Sequence, residues 1–387
     1  MIDRRLTLAL LLALTVVAGC KGDGSKGPKD NIDPPTELID LVAERPVSRL
    51  WSADVGKGAR LAGANIGTDV ADGKVFTANL DGVVKALDSS SGRVIWQVET
   101  GVRLGGGPVT AEGLVAIGTL EGDLLVFDLD GAQRWRSKLS SEVVSAPAIG
   151  QGLVVAMSND GRTFAYDSNN GNQRWVVDSA VPALSLRGNS PPLISEKLTF
   201  LGQANGRVRA IDNVSGDIEW EALLGDTGGR TELERMLDID GQMMLIQGDL
   251  FAVGYESKAQ ALAGESGRVL WTRDLSSYTG FTLTGAALLV TTTSGEVLNL
   301  DTRSGSALWK QDELKYRFLS TPAVQGDTVV VGDFEGYLHW LDIESGQIVA
   351  RARPGKKGIR STPVVADGIL YALDLNGTLS AYRLGGG

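Results

Sequence analysis

A 16-residue block recurs along nearly the whole chain and leaves few folds open. Its clearest copy reads Asp81-Gly82-x-Val84-x-Ala86-Leu87-Asp88-x-x-x-Gly92-x-x-x-Trp96. Further copies run Asp160-Gly161 to Trp175, Asn205-Gly206 to Trp220 and Ser294-Gly295 to Trp309. One copy is a residue shorter, from Glu121-Gly122 through Asp128 and Gly131 to Trp135. A decayed copy ends Gly267…Trp271 and has Ala263 where Asp is expected; another, from Glu335-Gly336, has Ala350 in place of Trp. The last begins Asn376-Gly377 and stops at Arg383, before any Trp. A period near 40 residues with this content marks a β-propeller or a related array.

Each unit reads as short strands joined by turns. Val364-Val365, Ile369 to Leu373 and Leu379 to Tyr382 are rich in strand-forming residues, and Asp367-Gly368 and Asn376-Gly377 mark hairpins between them. In the Asp-x-x-x-Gly segment, Asp can bond its own backbone two residues on and Gly supplies a positive φ, so the chain turns into a fourth strand that ends at Trp. The Trp ring could wedge between neighbouring blades or stack on a cofactor; we read it as a wedge.

The fold class expected is all-β, an eight-bladed propeller of four-stranded antiparallel blades. The eighth copy lacks its Trp strand, yet Trp51 stands alone ahead of the first copy. Arg49-Leu50-Trp51 therefore supplies the last blade's fourth strand, closes the ring and leaves no edge unpaired. Seven blades would require one divergent copy, the one ending at Trp271 being the weakest, to be something else.

The N-terminus has another character. Arg4 and Arg5 precede an apolar run from Leu6 to Val17, too short to span a bilayer, so residues 1–19 read as a signal peptide. The run ends Val17-Ala18-Gly19-Cys20, which resembles a lipobox, the bacterial signal for lipidating that Cys. The alternative is an ordinary cleavage near Gly19 with a leftover thiol; Cys20 being the chain's single Cys favours lipidation. Lys21 rather than Asp follows, which implies export to the outer membrane. The expected layout is a signal peptide over 1–19, a lipidated Cys and flexible tether over 20–45, and a propeller over 46–384. One or two helical turns are expected over Thr36 to Glu44.

Removing residues 1–19 takes Arg4, Arg5 and Asp3 from 37 basic and 47 acidic residues, leaving 35 and 46, a net charge of −11. That argues against nucleic acid and anionic lipid as direct partners and suits a protein with a basic patch. His339 is the single His, so a His/Cys metal centre cannot be built, and no G-x-S-x-G motif accompanies it. No Gly-rich turn lies between a strand and a helix, so no phosphate loop is read.

The repeat resembles that of the pyrroloquinoline-quinone dehydrogenase propellers, which share the A-x-D-x-x-x-G-x-x-x-W signature. Those enzymes also need calcium beside the quinone, and many have a disulfide of neighbouring cysteines, which this chain cannot form internally. The shared signature reports blade packing rather than catalysis, so no enzyme activity, cofactor or metal is expected. A quinone-dependent dehydrogenase or a ligand-binding periplasmic propeller is the alternative.

Function is sought where the repeat breaks step, because loops on a rigid scaffold carry binding. Two intervals between ring Trps are overlong: Trp175 to Trp220 and Trp220 to Trp271. The extra stretches, Val181 to Pro192 and Leu224 to Asp240, both follow a Trp strand and should project side by side from one face. Leu184, Leu186 and Arg187 in the first form either a protein-contact patch or a small core under the loop. Asp238 and Asp240 in the second alternate with apolar residues; they either accept bonds from a basic partner or cap a turn.

Leu184-Ser185-Leu186-Arg187-Gly188, Thr231-Glu232-Leu233-Glu234-Arg235 with Asp238-Ile239-Asp240, and Glu335-Gly336-Tyr337-Leu338-His339-Trp340 resemble motifs of the BamB family, the outer-membrane β-barrel assembly lipoproteins. With the lipobox and the repeats, the resemblance covers essentially the whole chain. It implies a lipid-anchored scaffold at the periplasmic face of the outer membrane, bound to the POTRA domains of BamA. It also implies partner-binding roles for Leu184, Leu186, Arg187, Asp238 and Asp240. Unfolded barrel proteins could add strands at the rim. Ala263, in place of the turn Asp, leaves the geometry of its blade open.

Overall fold

The computed structural model describes residues 33–56, 64–181, 190–225 and 238–386. Its strands form eight antiparallel sheets, giving an eight-bladed propeller. Blades 1 to 7 take residues 68–99, 104–138, 148–178, 193–223, 244–274, 281–311 and 323–352, each running from innermost to outermost strand. Blade 8 takes its three inner strands from 364–384. Its outermost strand is Val47–Asp54, paired antiparallel with Thr378–Leu384. Trp51 thus closes the ring as its isolated position in the sequence indicates. Asn65–Ile66 adds a short parallel strand to the inner edge of blade 2.

Seven blade junctions share one device. Trp51, Trp96, Trp135, Trp175, Trp220, Trp271 and Trp309 each donate their indole N–H to a carbonyl of the following blade, at 2.8–3.0 Å. Each ring lies against the glycine of that blade's Asp-x-x-x-Gly turn. A Cβ on Gly92, Gly131, Gly171, Gly216, Gly267, Gly305 or Gly346 would fall 2.5–2.8 Å from the ring, and all seven glycines have positive φ. The motif's Gly and Trp therefore belong to different blades and form one contact: only glycine tolerates both the turn and the indole face.

The eighth junction differs: blade 8's third and fourth strands are the separate segments Thr378–Leu384 and Val47–Asp54, with no glycine turn joining them for an indole of blade 7 to meet. Across the strand pair, the tryptophans of five blades face an alanine: Ala86, Ala165, Ala210, Ala261 and Ala381. In blade 7 the pair is reversed, and Ala350 faces Trp340. Trp340 is fully buried, packs edge-on against Tyr382 of blade 8 and donates to Gln325 Oε1 at 2.7 Å. The ring's bulk has moved one strand inward.

Two local expectations meet the structure differently. The blade with Ala263 is regular: the amides of Ser266 and Gly267 bond the Ala263 carbonyl, so the backbone makes the turn without the Asp side chain. No helix forms over Thr36 to Glu44. The Thr36 amide bonds Lys315 O and the Glu44 amide bonds Val349 O, so these backbone donors go to the propeller instead of to an intrahelical ladder.

Candidate functional site at the channel mouth

Because strands alternate in direction within a blade, the connections from each outer strand to the next inner strand all emerge on one face. Seven of them converge there and line an open cavity of about 450 Å³. Between blades 4 and 5 the connection brings Asp240 and Gln242; between 5 and 6, Tyr278; between 6 and 7, Phe318; between 7 and 8, Arg360; between 8 and 1, Asn65.

The two overlong connections do lie side by side. The Ser190 amide bonds Ile239 O at 3.1 Å and its hydroxyl donates to Gly241 O at 2.7 Å, tying one stretch to the other. Ile239 is buried among Phe200, Leu224 and Met243. Asp238 is buried, and its backbone exchanges hydrogen bonds with Tyr255. Asp240 reaches the cavity. One of its carboxylate oxygens is buried and has no hydrogen-bond partner among the described residues. Burial pushes its pKa up to about 6. The alternation of Asp238 and Asp240 thus separates two uses, one Asp under a strand-like pair and one at the mouth. Leu184, Leu186 and Arg187 lie outside the described residues, as do the proposed signal peptide and Cys20.

Two connections further round, the lining is aromatic. Phe318 is 53% exposed and has a φ of +49°, and Tyr316, two residues earlier, also has positive φ. For bulky side chains this conformation is strained and must be held by its surroundings. Arg317 between them does the holding. It is buried, bonds Asp333 Oδ2 at 2.7 and 2.9 Å, pairs with Glu335 at 2.5 Å and donates to Thr36 O. Its guanidinium lies over the Phe334 ring, which meets Phe318 edge-on.

His339 completes the cluster. Its Nε2 lies 3.1 Å from Asp333 Oδ2, and Arg351 Nε donates to its Nδ1 at 3.2 Å. A ring that accepts at Nδ1 carries its proton on Nε2, so the imidazole is neutral. Burial, set against the Asp333 partner, brings its pKa below the ordinary value. Burial alone would raise the Asp333 carboxyl, but His339, the Tyr337 amide and Arg317 outweigh it and hold it low. His339 thus helps to fix the Arg317 loop through Asp333. Neither Phe318 nor Arg360 stood out in the sequence, where nothing but an accurate fold could bring them near Asp240.

Among the described residues no three His, Cys, Asp or Glu side chains are placed to hold a metal, and the seven junction indoles are committed to neighbouring blades. A closed ring of eight blades, seven of its junctions wedged by Trp, defines the broad class, a propeller of quinoprotein-type repeats. Its likeness to the quinohemoprotein alcohol dehydrogenase of Comamonas testosteroni, at 13% identity and a TM-score of 0.70 over 91% of this chain and 79% of that one, shows the fold alone.

Closer likenesses set the family. A family model described as outer membrane protein assembly factor BamB matches residues 80–311 and 293–386. The outer membrane protein assembly factor BamB of Xanthomonas campestris pv. campestris is 40% identical over 98% of both chains. The crystal structure of BamB from Moraxella catarrhalis superposes with a TM-score of 0.79 at 27% identity, covering 87% of this chain and all of that one. The chain belongs to the outer membrane protein assembly factor BamB family.

Proposed function

We propose that this chain is a non-enzymatic scaffold of the β-barrel assembly machinery, docking through its mouth face onto the POTRA domains of BamA. In this reading Cys20 carries the lipid that anchors it at the periplasmic face of the outer membrane. The observation that supports it is the tie between the two long connections, in which Ser190 bonds the carbonyls of Ile239 and Gly241. Leu184, Leu186 and Arg187 supply apolar contact and a planar cation, and Asp240 an acceptor. The scaffold acts by holding its partner in one arrangement; unfolded barrel strands at the rim are a secondary contact.

The test is co-purification of BamA from outer membranes. Leu186→Ala and Arg187→Ala should each weaken binding by about 2 kcal/mol, as interface hot spots do. A double variant that recovers as much BamA as the wild type would sink the assignment. A purified protein that binds pyrroloquinoline quinone, with its absorbance band, would favour the dehydrogenase-like reading instead.

A further inference from the structure

The mouth is polarised around its circumference. Asp240, on the blade 4–5 connection, offers a carboxylate oxygen without a partner among the described residues. Arg360, three connections further round, is exposed, and its charge reaches Tyr278. Between them in chain order stands Phe318, next to the buried Arg317–Asp333 ion pair and with a positive φ. An exposed aromatic ring beside a buried ion pair has the geometry of a pre-organised interface anchor. The cavity is of a size that takes a few side chains, toward the lower part of the roughly 300–1,000 Å³ usual for binding sites.

We propose that this mouth seats a segment of the docking protein that presents a basic side chain to Asp240 and Phe318 and an acidic one to Arg360. The carboxylate and the aromatic face both attract a cation, and the guanidinium forks onto a carboxylate. This rests on the docking reading above and extends it: the contact does not stop at the two long loops but crosses the channel to blades 6 to 8. The polarity also fixes orientation, since a segment entering the other way would place like charges together.

The test uses the full-length protein in detergent and the purified periplasmic POTRA region of the same bacterium's BamA, with affinity read by calorimetry. Phe318→Ala and Arg360→Glu should each weaken binding tenfold or more, while Arg360→Lys stays within about threefold. The double reversal Asp240→Arg with Arg360→Asp keeps the net charge yet should bind as poorly as the single variants. Phe318 and Arg360 are exposed, so unchanged melting temperatures are expected and serve as the folding control. Wild-type affinity in Phe318→Ala and Arg360→Glu, with binding still lost in Leu186→Ala/Arg187→Ala, overturns the mouth site and leaves the docking reading standing. A POTRA region that does not bind the wild-type protein overturns both.

Discussion

Asp333 and Asp240 are both carboxylates taken out of water on the mouth face, and the fold treats them in opposite ways. Asp333 is enclosed by Arg317, His339 and the amides of Glu335 and Tyr337, and is held ionised. Asp240 is largely buried, one of its oxygens has no partner among the described residues, and burial raises its pKa to about 6. The first arrangement is internally satisfied and fixes a loop. The second leaves an acceptor unmet among the described residues at an open cavity, the condition of a group that can complete its bonding with a docking partner. Perturbed titratable groups in clefts mark sites for this reason.

The sharpest way to break the comparison is to empty the satisfied side. Asp333→Ala would leave the Arg317 guanidinium buried without its main counter-ion, and removing one partner of a buried pair typically destabilises by about 3–5 kcal/mol. We expect a loss of that size in denaturant melts, with proteolysis rising first around Tyr316 to Phe318 and Thr36. A loss below about 1 kcal/mol would mean that the cluster is not what holds the strained loop.

The scaffold was legible in the sequence because it is local chemistry repeated. Gly92 must be glycine and Trp51 must be large for one contact, so both recur at fixed spacing. Even the exceptions were readable in part: Trp51 announced the closure. Ala350, however, makes sense only beside Trp340, a cross-strand partner that no spacing rule names. The mouth was far less legible. Its residues come from seven connections of unequal length, and Asp240, Phe318 and Arg360 are brought together only by ring closure. The alternation of Asp238 and Asp240 suggested a shared side, yet one lies beneath the pair with Tyr255 and the other lines the cavity. The helical turns expected over Thr36 to Glu44 failed for a related reason: the donors they needed were taken by strands distant in sequence.

The other side of the comparison is tested by removing a charge that the fold holds at a disadvantage. Asp240→Asn should stabilise the free protein at pH 7.5, since a carboxyl with a folded pKa of about 6 ionises less readily there than in the unfolded chain. A rise from the ordinary carboxylate value of about 4 to about 6 corresponds to about 2.7 kcal/mol at most. Partial exposure reduces the expected gain to about 1 kcal/mol. A variant that is more stable yet binds its partner less well would show a residue kept for function against stability. Equal stability of the two proteins in chemical denaturation at pH 7.5 would remove Asp240 from that role.

The smallest effect is the pH dependence, where the two regions should pull in opposite directions. Asp240 has a raised folded pKa, so the folded state holds a proton that the unfolded state has released between about pH 4 and 6. Its contribution is therefore most favourable in acid and is lost as pH rises through about 6. His339 has a lowered folded pKa, so the unfolded state takes up the proton first. Its contribution is present above the ordinary histidine value of about 6.5 and is lost as pH falls below it. In the wild type the two slopes oppose each other between pH 5 and 6.5 and flatten the profile. Asp240→Asn should uncover the histidine slope, with stability falling on acidification. His339→Gln, which keeps a polar side chain near Asp333, should uncover the carboxyl slope, with stability rising on acidification. Melting temperatures of the three proteins from pH 5 to 8 decide it: parallel profiles would show that neither group titrates as its surroundings dictate.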